Sequence, residues 1–123
     1  MATLALVVPV LPVRDLARAM DFYRTLGFTA HAWQNGDTYA FLHRDSSELH
    51  LRAVPKLDPA LNPTSTYFFL NTGTAESLVN QFEAAGIEIA QPLTPRPWGQ
   101  REFVLRDLDG NQLIFGESIP GQD

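Results

Sequence analysis

The stretch Asp15-Leu16-Ala17-Arg18-Ala19-Met20-Asp21-Phe22-Tyr23-Arg24-Thr25-Leu26-Gly27-Phe28 decides the fold, because its pattern returns at Thr74-Ala75-Glu76-Ser77-Leu78-Val79-Asn80-Gln81-Phe82-Glu83-Ala84-Ala85-Gly86-Ile87. In the first copy Leu16, Ala19, Met20, Tyr23 and Leu26 fall at helical spacing. A shift of 59 residues carries Ala19 to Leu78, Met20 to Val79, Tyr23 to Phe82, Gly27 to Gly86 and Phe28 to Ile87. Asp15 reads as an N-cap, since its side chain can accept from the orphan amides of a first turn, and Thr74 occupies the same place. Each helix is stopped by a glycine, which takes the left-handed backbone position after a last turn without penalty.

The flanks repeat as well. Before the first helix, Leu6–Val13 reads as a strand interrupted by Pro9 and Pro12, so that strand has a side free of ladder bonds or crosses to another subunit at Pro9. After the helix come a strand over Phe28–Trp33, a turn at Asn35-Gly36-Asp37, and a hairpin of Thr38–Arg44 with Glu48–Val54 across Asp45-Ser46. The second half offers a strand at Ser65–Asn71, a short strand at Ile87–Ala90 and a proline-rich loop over Pro92–Gln100. A hairpin of Arg101–Arg106 with Asn111–Glu117 follows, turned at Asp107-Leu108-Asp109-Gly110. The tail Pro120–Asp123 is expected to fray. The prediction is an α+β protein of two βαβββ modules, residues 4–54 and 65–118, joined by a linker over 55–64. Each module is a sheet with a helix on one face, and two curved sheets side by side enclose a cleft.

Composition narrows the function. The 123 residues contain no cysteine, which excludes disulfides, Cys–zinc sites and thiol nucleophiles. Nine Lys+Arg against 14 Asp+Glu give a net charge of −5, with no basic run, so nucleic acid is not an expected partner. That balance favours cationic ligands weakly. The apolar stretch Leu4–Val13 holds two prolines, lacks a basic leader and is too short to span a bilayer; a cytoplasmic protein with no membrane partner is expected. No phosphate-binding glycine loop is present, and Ser46, Ser47, Ser65 and Ser118 lack a nucleophile-elbow context.

Pro9-Val10-Leu11-Pro12-Val13-Arg14-Asp15-Leu16, Asp21-Phe22-Tyr23 and Leu26-Gly27-Phe28 together resemble the opening of vicinal oxygen chelate proteins, the superfamily of glyoxalases, extradiol dioxygenases and bleomycin resistance proteins. Pro97-Trp98-Gly99-Gln100-Arg101-Glu102-Phe103 with Asp107-Leu108-Asp109-Gly110-Asn111 resembles the bleomycin resistance branch most. The resemblance covers nearly the whole chain, read as one domain over 1–123, and implies a homodimer whose first strand is exchanged at Pro9. It implies a function in antibiotic resistance: a planar, cationic drug of the bleomycin type is sequestered at a dimer-interface cleft.

The superfamily's enzymes hold a divalent metal with His, Gln or Glu from four strands. By motif these positions fall here on Val8, His50, Tyr67 and Ile114. Val8 and Ile114 have no lone pair to give and a neutral phenol is a poor ligand, so no metal, cofactor or catalytic residue is expected. Glu117 cannot substitute, because three residues from Ile114 along a strand is the opposite face. The alternative is a metalloenzyme of the same superfamily with a non-standard ligand set around His50. A third reading is a non-catalytic module whose dimer surface or cleft serves a protein partner.

Strand parity sorts the remaining side chains. A two-residue turn at Asp45-Ser46 pairs 43 with 48 and 41 with 50, which puts Tyr39, Phe41, His43, Glu48, His50 and Arg52 on one face. Tyr67 and Phe69 face the same way on the fifth strand, and Glu102, Val104, Arg106, Gln112 and Ile114 on the last hairpin. The ligand-binding candidates are therefore Trp33, Tyr39, Phe41, His50, Tyr67, Phe69, Trp98 and Glu102. Aromatic rings there would stack a planar ligand, while Glu48, Glu102 or Asp37 would meet a cation. Tyr39, Phe41 and Phe69 could equally fill a core, and Trp98 could anchor its loop. For His50 the plainer role is a hydrogen bond to a neighbour, Arg52 or Glu48 through water.

Overall fold

In the computed structural model, which describes residues 1–121, the chain forms two four-stranded mixed sheets, each backed by one helix. The first module runs β1 (Val10–Val13), α1 (Leu16–Thr25), β2 (Thr29–Ala32), β3 (Tyr39–Arg44) and β4 (Ser47–Ala53). The second runs β5 (Ser65–Phe69), α2 (Ala75–Ala84), β6 (Gln91–Pro95), β7 (Gln100–Arg106) and β8 (Gln112–Ser118). Strand order is β1-β4-β3-β2 in one sheet and β5-β8-β7-β6 in the other, with β1∥β4 and β5∥β8 the parallel pairs. The α+β class and the repeated module are thus as the sequence indicates. The fraying expected for Pro120–Asp123 falls partly outside the described residues.

The two helices end alike. Gly27 and Gly86 have φ of 89° and 83°. Phe28 N–H donates to the Tyr23 carbonyl at 3.1 Å, and Ile87 N–H to the Phe82 carbonyl at 3.0 Å, the six-to-one bond of a left-handed cap. The starts differ. Asp15 Oδ1 accepts from Arg18 N–H at 3.1 Å, as its sequence context predicts. Thr74 does not cap: its hydroxyl donates to the Asn71 carbonyl at 2.6 Å. The amides of Gly73 and Ala75 are served instead by the Glu117 carboxylate of β8, at 2.6 and 2.7 Å.

Other boundaries shift for physical reasons. The predicted strand Leu6–Val13 begins only at Val10; Pro9 has no N–H to give the ladder, and its carbonyl takes the last rung, from His50 N–H at 2.9 Å. Leu4, Leu6 and Val7 upstream are exposed. Phe28 and Trp33 lie outside β2, whose ladder with β3 runs only from Thr29 to Ala32; Leu70 and Asn71 likewise follow the end of β5. Ile87–Ala90 is a connection, not a strand, and β6 instead begins at Gln91 and runs into the segment predicted as a loop. β6 carries Pro92 and Pro95 because it is an outer strand, needing donors on one side only, and its register with β7 is irregular between Gln91 and Thr94.

The register of the first hairpin matches the prediction: His43 faces Glu48 and Phe41 faces His50. Parity follows. Leu42, Leu49, Leu51, Leu105 and Leu113 are buried towards the helices, which leaves their strand neighbours on the opposite faces. One apolar core runs through both modules, joined where the Phe28 and Phe68 rings meet edge to face at 5.9 Å.

A buried polar staple also crosses between them. Asn111, fully buried, donates to the Pro12 carbonyl at 3.0 Å and to Asp107 Oδ2 at 3.0 Å; its own oxygen accepts from Asn62 and from the Thr64 hydroxyl. Asp107 also accepts from the Tyr23 hydroxyl at 2.7 Å. Arg14 on β1's exit reaches Asp109 at 2.9 Å.

Candidate functional site

The open face of the first sheet is an aromatic wall with imidazoles set into it. β3 contributes Tyr39 and Phe41, β4 contributes His50, and β2 contributes His31. Tyr39 and Phe41 lie 5.3 and 5.0 Å from the His50 ring, centre to centre, both edge to face, and His31 lies 5.3 Å from Phe41. The Tyr39 hydroxyl and His50 Nδ1 are 2.9 Å apart. His50 is therefore held directly by Tyr39, a cross-strand neighbour. Trp33 leaves the end of β2 in a short 3-10 turn, Trp33–Asn35, and stands half-exposed. With Thr38, Tyr39, Phe41, Arg52 and Ala53 it lines a hollow of about 510 Å³.

The open face of the second sheet is organised around one buried carboxylate. Glu102, 6% exposed, accepts from the Trp98 indole N–H at 2.8 Å. The Arg96 guanidinium lies 4.7 Å from the Trp98 ring centre and 3.9 Å from the other Glu102 oxygen. One face of the indole is thereby covered by a cation, while Trp98 as a whole remains 58% exposed. Tyr67 leans over Gly116 of β8 so closely that a Cβ there would collide with the Tyr67 hydroxyl. Burial, then hydrogen bonding to Glu102 and the charge of Glu102, push the Tyr67 phenol up to about 12. Phe69 is 67% exposed and its ring centre is 6.4 Å from that of Tyr67.

The eight candidate residues thus fall into two groups, Trp33, Tyr39, Phe41 and His50 on one sheet and Tyr67, Phe69, Trp98 and Glu102 on the other. Glu102 is placed differently from its sequence reading as a free carboxylate for a cation: it is buried and already partnered. Glu48 is half-buried and, with Tyr67, Leu6, Val7 and Pro9, lines a separate hollow of about 410 Å³ between the modules. Arg96 and Gly116 escaped the sequence reading. The signal for Arg96 was its place beside Pro97-Trp98; Gly116 in a strand interior is itself a sign of close approach by another group.

Of the four metal-ligand positions, Tyr67 and Ile114 are register partners on β5 and β8, His50 pairs with Val10, and Val8 precedes β1. Among the described residues no three His, Asp or Glu side chains gather closely enough to hold a metal. Glu117 lies on the helix side of β8, as parity requires, capping α2. No helix among the described residues is long and apolar enough to cross a membrane.

Paired βαβββ modules with open aromatic sheet faces define a protein class, and the sequence agrees. The chain belongs to the Glyoxalase/Bleomycin resistance protein/Dioxygenase superfamily, which it matches over residues 4–115. A bleomycin-binding protein solved in complex with bleomycin is 27% identical, with a TM-score of 0.73 over 94% of this chain and 99% of that one. TioX from Micromonospora sp. ML1 is 25% identical, with a TM-score of 0.72 over the same shares. A lactoylglutathione lyase from Agrobacterium tumefaciens shares the fold at 22% identity, with a TM-score of 0.73 over 92% of each chain. No curated protein sequence matches this chain significantly.

Proposed function

We propose that this chain is a cytoplasmic, metal-free binding protein that sequesters a planar, cationic small molecule, as bleomycin-type resistance requires, without chemistry of its own. The observation that carries the reading is the set of large exposed rings on and beside the open sheet faces: Tyr67 at 41% exposure and Phe69 at 67% on β5, Trp33 at 50% just past β2 and Trp98 at 58% in the turn between β6 and β7. Large rings left in water around open sheet faces that carry hollows of ligand size support a binding surface. The modules, 4–54 and 65–118 about a linker over 55–64, would each present one such face. Exposed Leu4, Leu6 and Val7 support a homodimer in which the segment before Pro9 packs on a second copy. The clefts would then lie between one sheet of each chain. Glu48 is the carboxylate best placed to meet a cation, and Val8, Tyr67 and Ile114 argue against metal catalysis. The relative complexed with bleomycin makes that drug the first probe.

Titration of metal-free and copper-loaded bleomycin, followed by tryptophan fluorescence, should give saturable quenching that is lost in Trp98→Ala. An unchanged signal at molar excess of both forms sinks the bleomycin version. Stoichiometric nickel, zinc or manganese that survives dialysis and is lost in His50→Ala would replace it with a metalloenzyme reading.

A further inference from the structure

The hollow beside Trp33 has three aromatic walls and one charge, and that charge is positive. Trp33, Tyr39 and Phe41 supply its rings, and Arg52 is the one charged residue in its lining. Arg52 is the cross-strand partner of Tyr39, which fixes its place beside the rings. Among the described residues its guanidinium makes no salt bridge; Arg18 and Arg106 make none either but do not line this hollow, while Arg14, Arg24, Arg44, Arg96 and Arg101 each pair with a carboxylate. Asp37 is nearby in sequence but does not line the hollow, and no other carboxylate does. A guanidinium free of ion pairs at the edge of an aromatic wall matches a carboxylate in two parallel hydrogen bonds.

We propose that this hollow is a subsite for an aromatic acid: the ring lies on Tyr39 and Phe41 under Trp33, and the carboxylate meets Arg52. The inference rests on the binding reading above and names the chemistry at one end of the site. It does not oppose a cation at the other end. Glu48, His50 and Arg52 alternate along one face of β4, so Glu48 and Arg52 stand about 13 Å apart at the usual rise per strand residue. The face is therefore acidic at the β3–β4 turn and basic at the hollow, and a long flat ligand can carry opposite charges at its two ends.

Calorimetric titration of the whole protein with indole-3-acetate and with indole-3-acetamide separates charge from ring. The acid should bind on the order of tenfold more tightly than the amide, the difference expected of a charge-assisted hydrogen-bond pair. Arg52→Gln should abolish that preference by bringing the acid down to the amide, Arg52→Lys should restore part of it, and Trp33→Ala should weaken both probes. Equal affinities in the unmodified protein, or a preference that survives Arg52→Gln, overturn the subsite. Bleomycin titrated in parallel keeps the two claims apart. Binding of the drug and of the amide without preference for the acid defeats the subsite alone; no heat from any of the three defeats it together with the sequestration reading.

Discussion

Glu102 holds the second open face in place. Its carboxylate fixes the Trp98 edge at 2.8 Å and adds to burial in pushing the Tyr67 phenol up to about 12, although it was a natural candidate for meeting a ligand's charge directly. Glu102→Gln keeps an acceptor for the indole, whereas Glu102→Ala does not. We expect Glu102→Ala to weaken a stacked ligand about as much as Trp98→Ala, and the double variant to be no worse, because both remove the same platform. The Trp98 indole proton in the nuclear magnetic resonance spectrum of the free protein provides a check without ligand: it should shift and exchange faster in Glu102→Ala and stay near its place in Glu102→Gln. Gly116 is the complementary case. Gly116→Ala must push Tyr67 aside, so the Tyr67 phenol should titrate closer to its ordinary 10 than to about 12, measured by the ring carbon shift. An unmoved titration would show that Tyr67 does not depend on the missing Cβ.

At the scale of elements, α2 depends on a strand for its start. Burial disfavours the Glu117 charge, but the Gly73 and Ala75 amides, then Arg101, outweigh it and hold the carboxyl below its usual range. The group therefore contributes stability that is present above the ordinary value of 4.5 and lost as pH falls through the lower folded value. Glu117→Ala should cost about 1–3 kcal/mol at neutral pH, read by denaturant unfolding, with amide exchange rising first at the start of α2. The gap between the two proteins should close on acidification; a gap independent of pH would contradict the ion-pair and capping account. Asp107 works in the other direction. Burial raises its pKa against the hydrogen bonds from Tyr23, Asn111 and the Asp109 amide, so its contribution falls as pH rises from 3.8 to the raised value.

For the molecule as a whole, the two modules are joined by one core and by Asn111. Replacing this fully buried amide with alanine leaves the Pro12 carbonyl, the Thr64 hydroxyl and one Asp107 oxygen short of partners. A loss of about 3 kcal/mol or more in unfolding free energy is expected. Arg14→Ala, which removes an exposed partner from Asp109, should cost about 1 kcal/mol or less. If Asn111→Ala proves as mild as Arg14→Ala, the modules are held by the Phe28–Phe68 contact and the shared core alone.

Much of the fold was legible because its signals are local. Apolar spacing marks α1 and α2, Gly27 and Gly86 close them, Asp15 opens the first, and a two-residue turn fixes His43 opposite Glu48. Alternation then assigns Tyr39, Phe41, His50, Tyr67 and Phe69 to open faces, since a strand's side chains change face at every residue. What neighbours do was not legible. Proline content made β6 look like a loop, and only its place at the sheet edge makes Pro92 and Pro95 acceptable. Thr74 carries the residue type of a cap, yet Glu117, 42 residues beyond the Ala75 amide it accepts from, takes the role because β8 ends beside α2. Glu102 is acidic by sequence and a buried brace by position, and Arg52 is one arginine among several until it is seen to line an aromatic hollow without a carboxylate partner. The sequence by itself determined the repeated module, the hairpin register and the face of each side chain, all set by periodicity within a few residues. Tertiary structure decided which charges remain free, because pairing and burial depend on groups that only folding brings together.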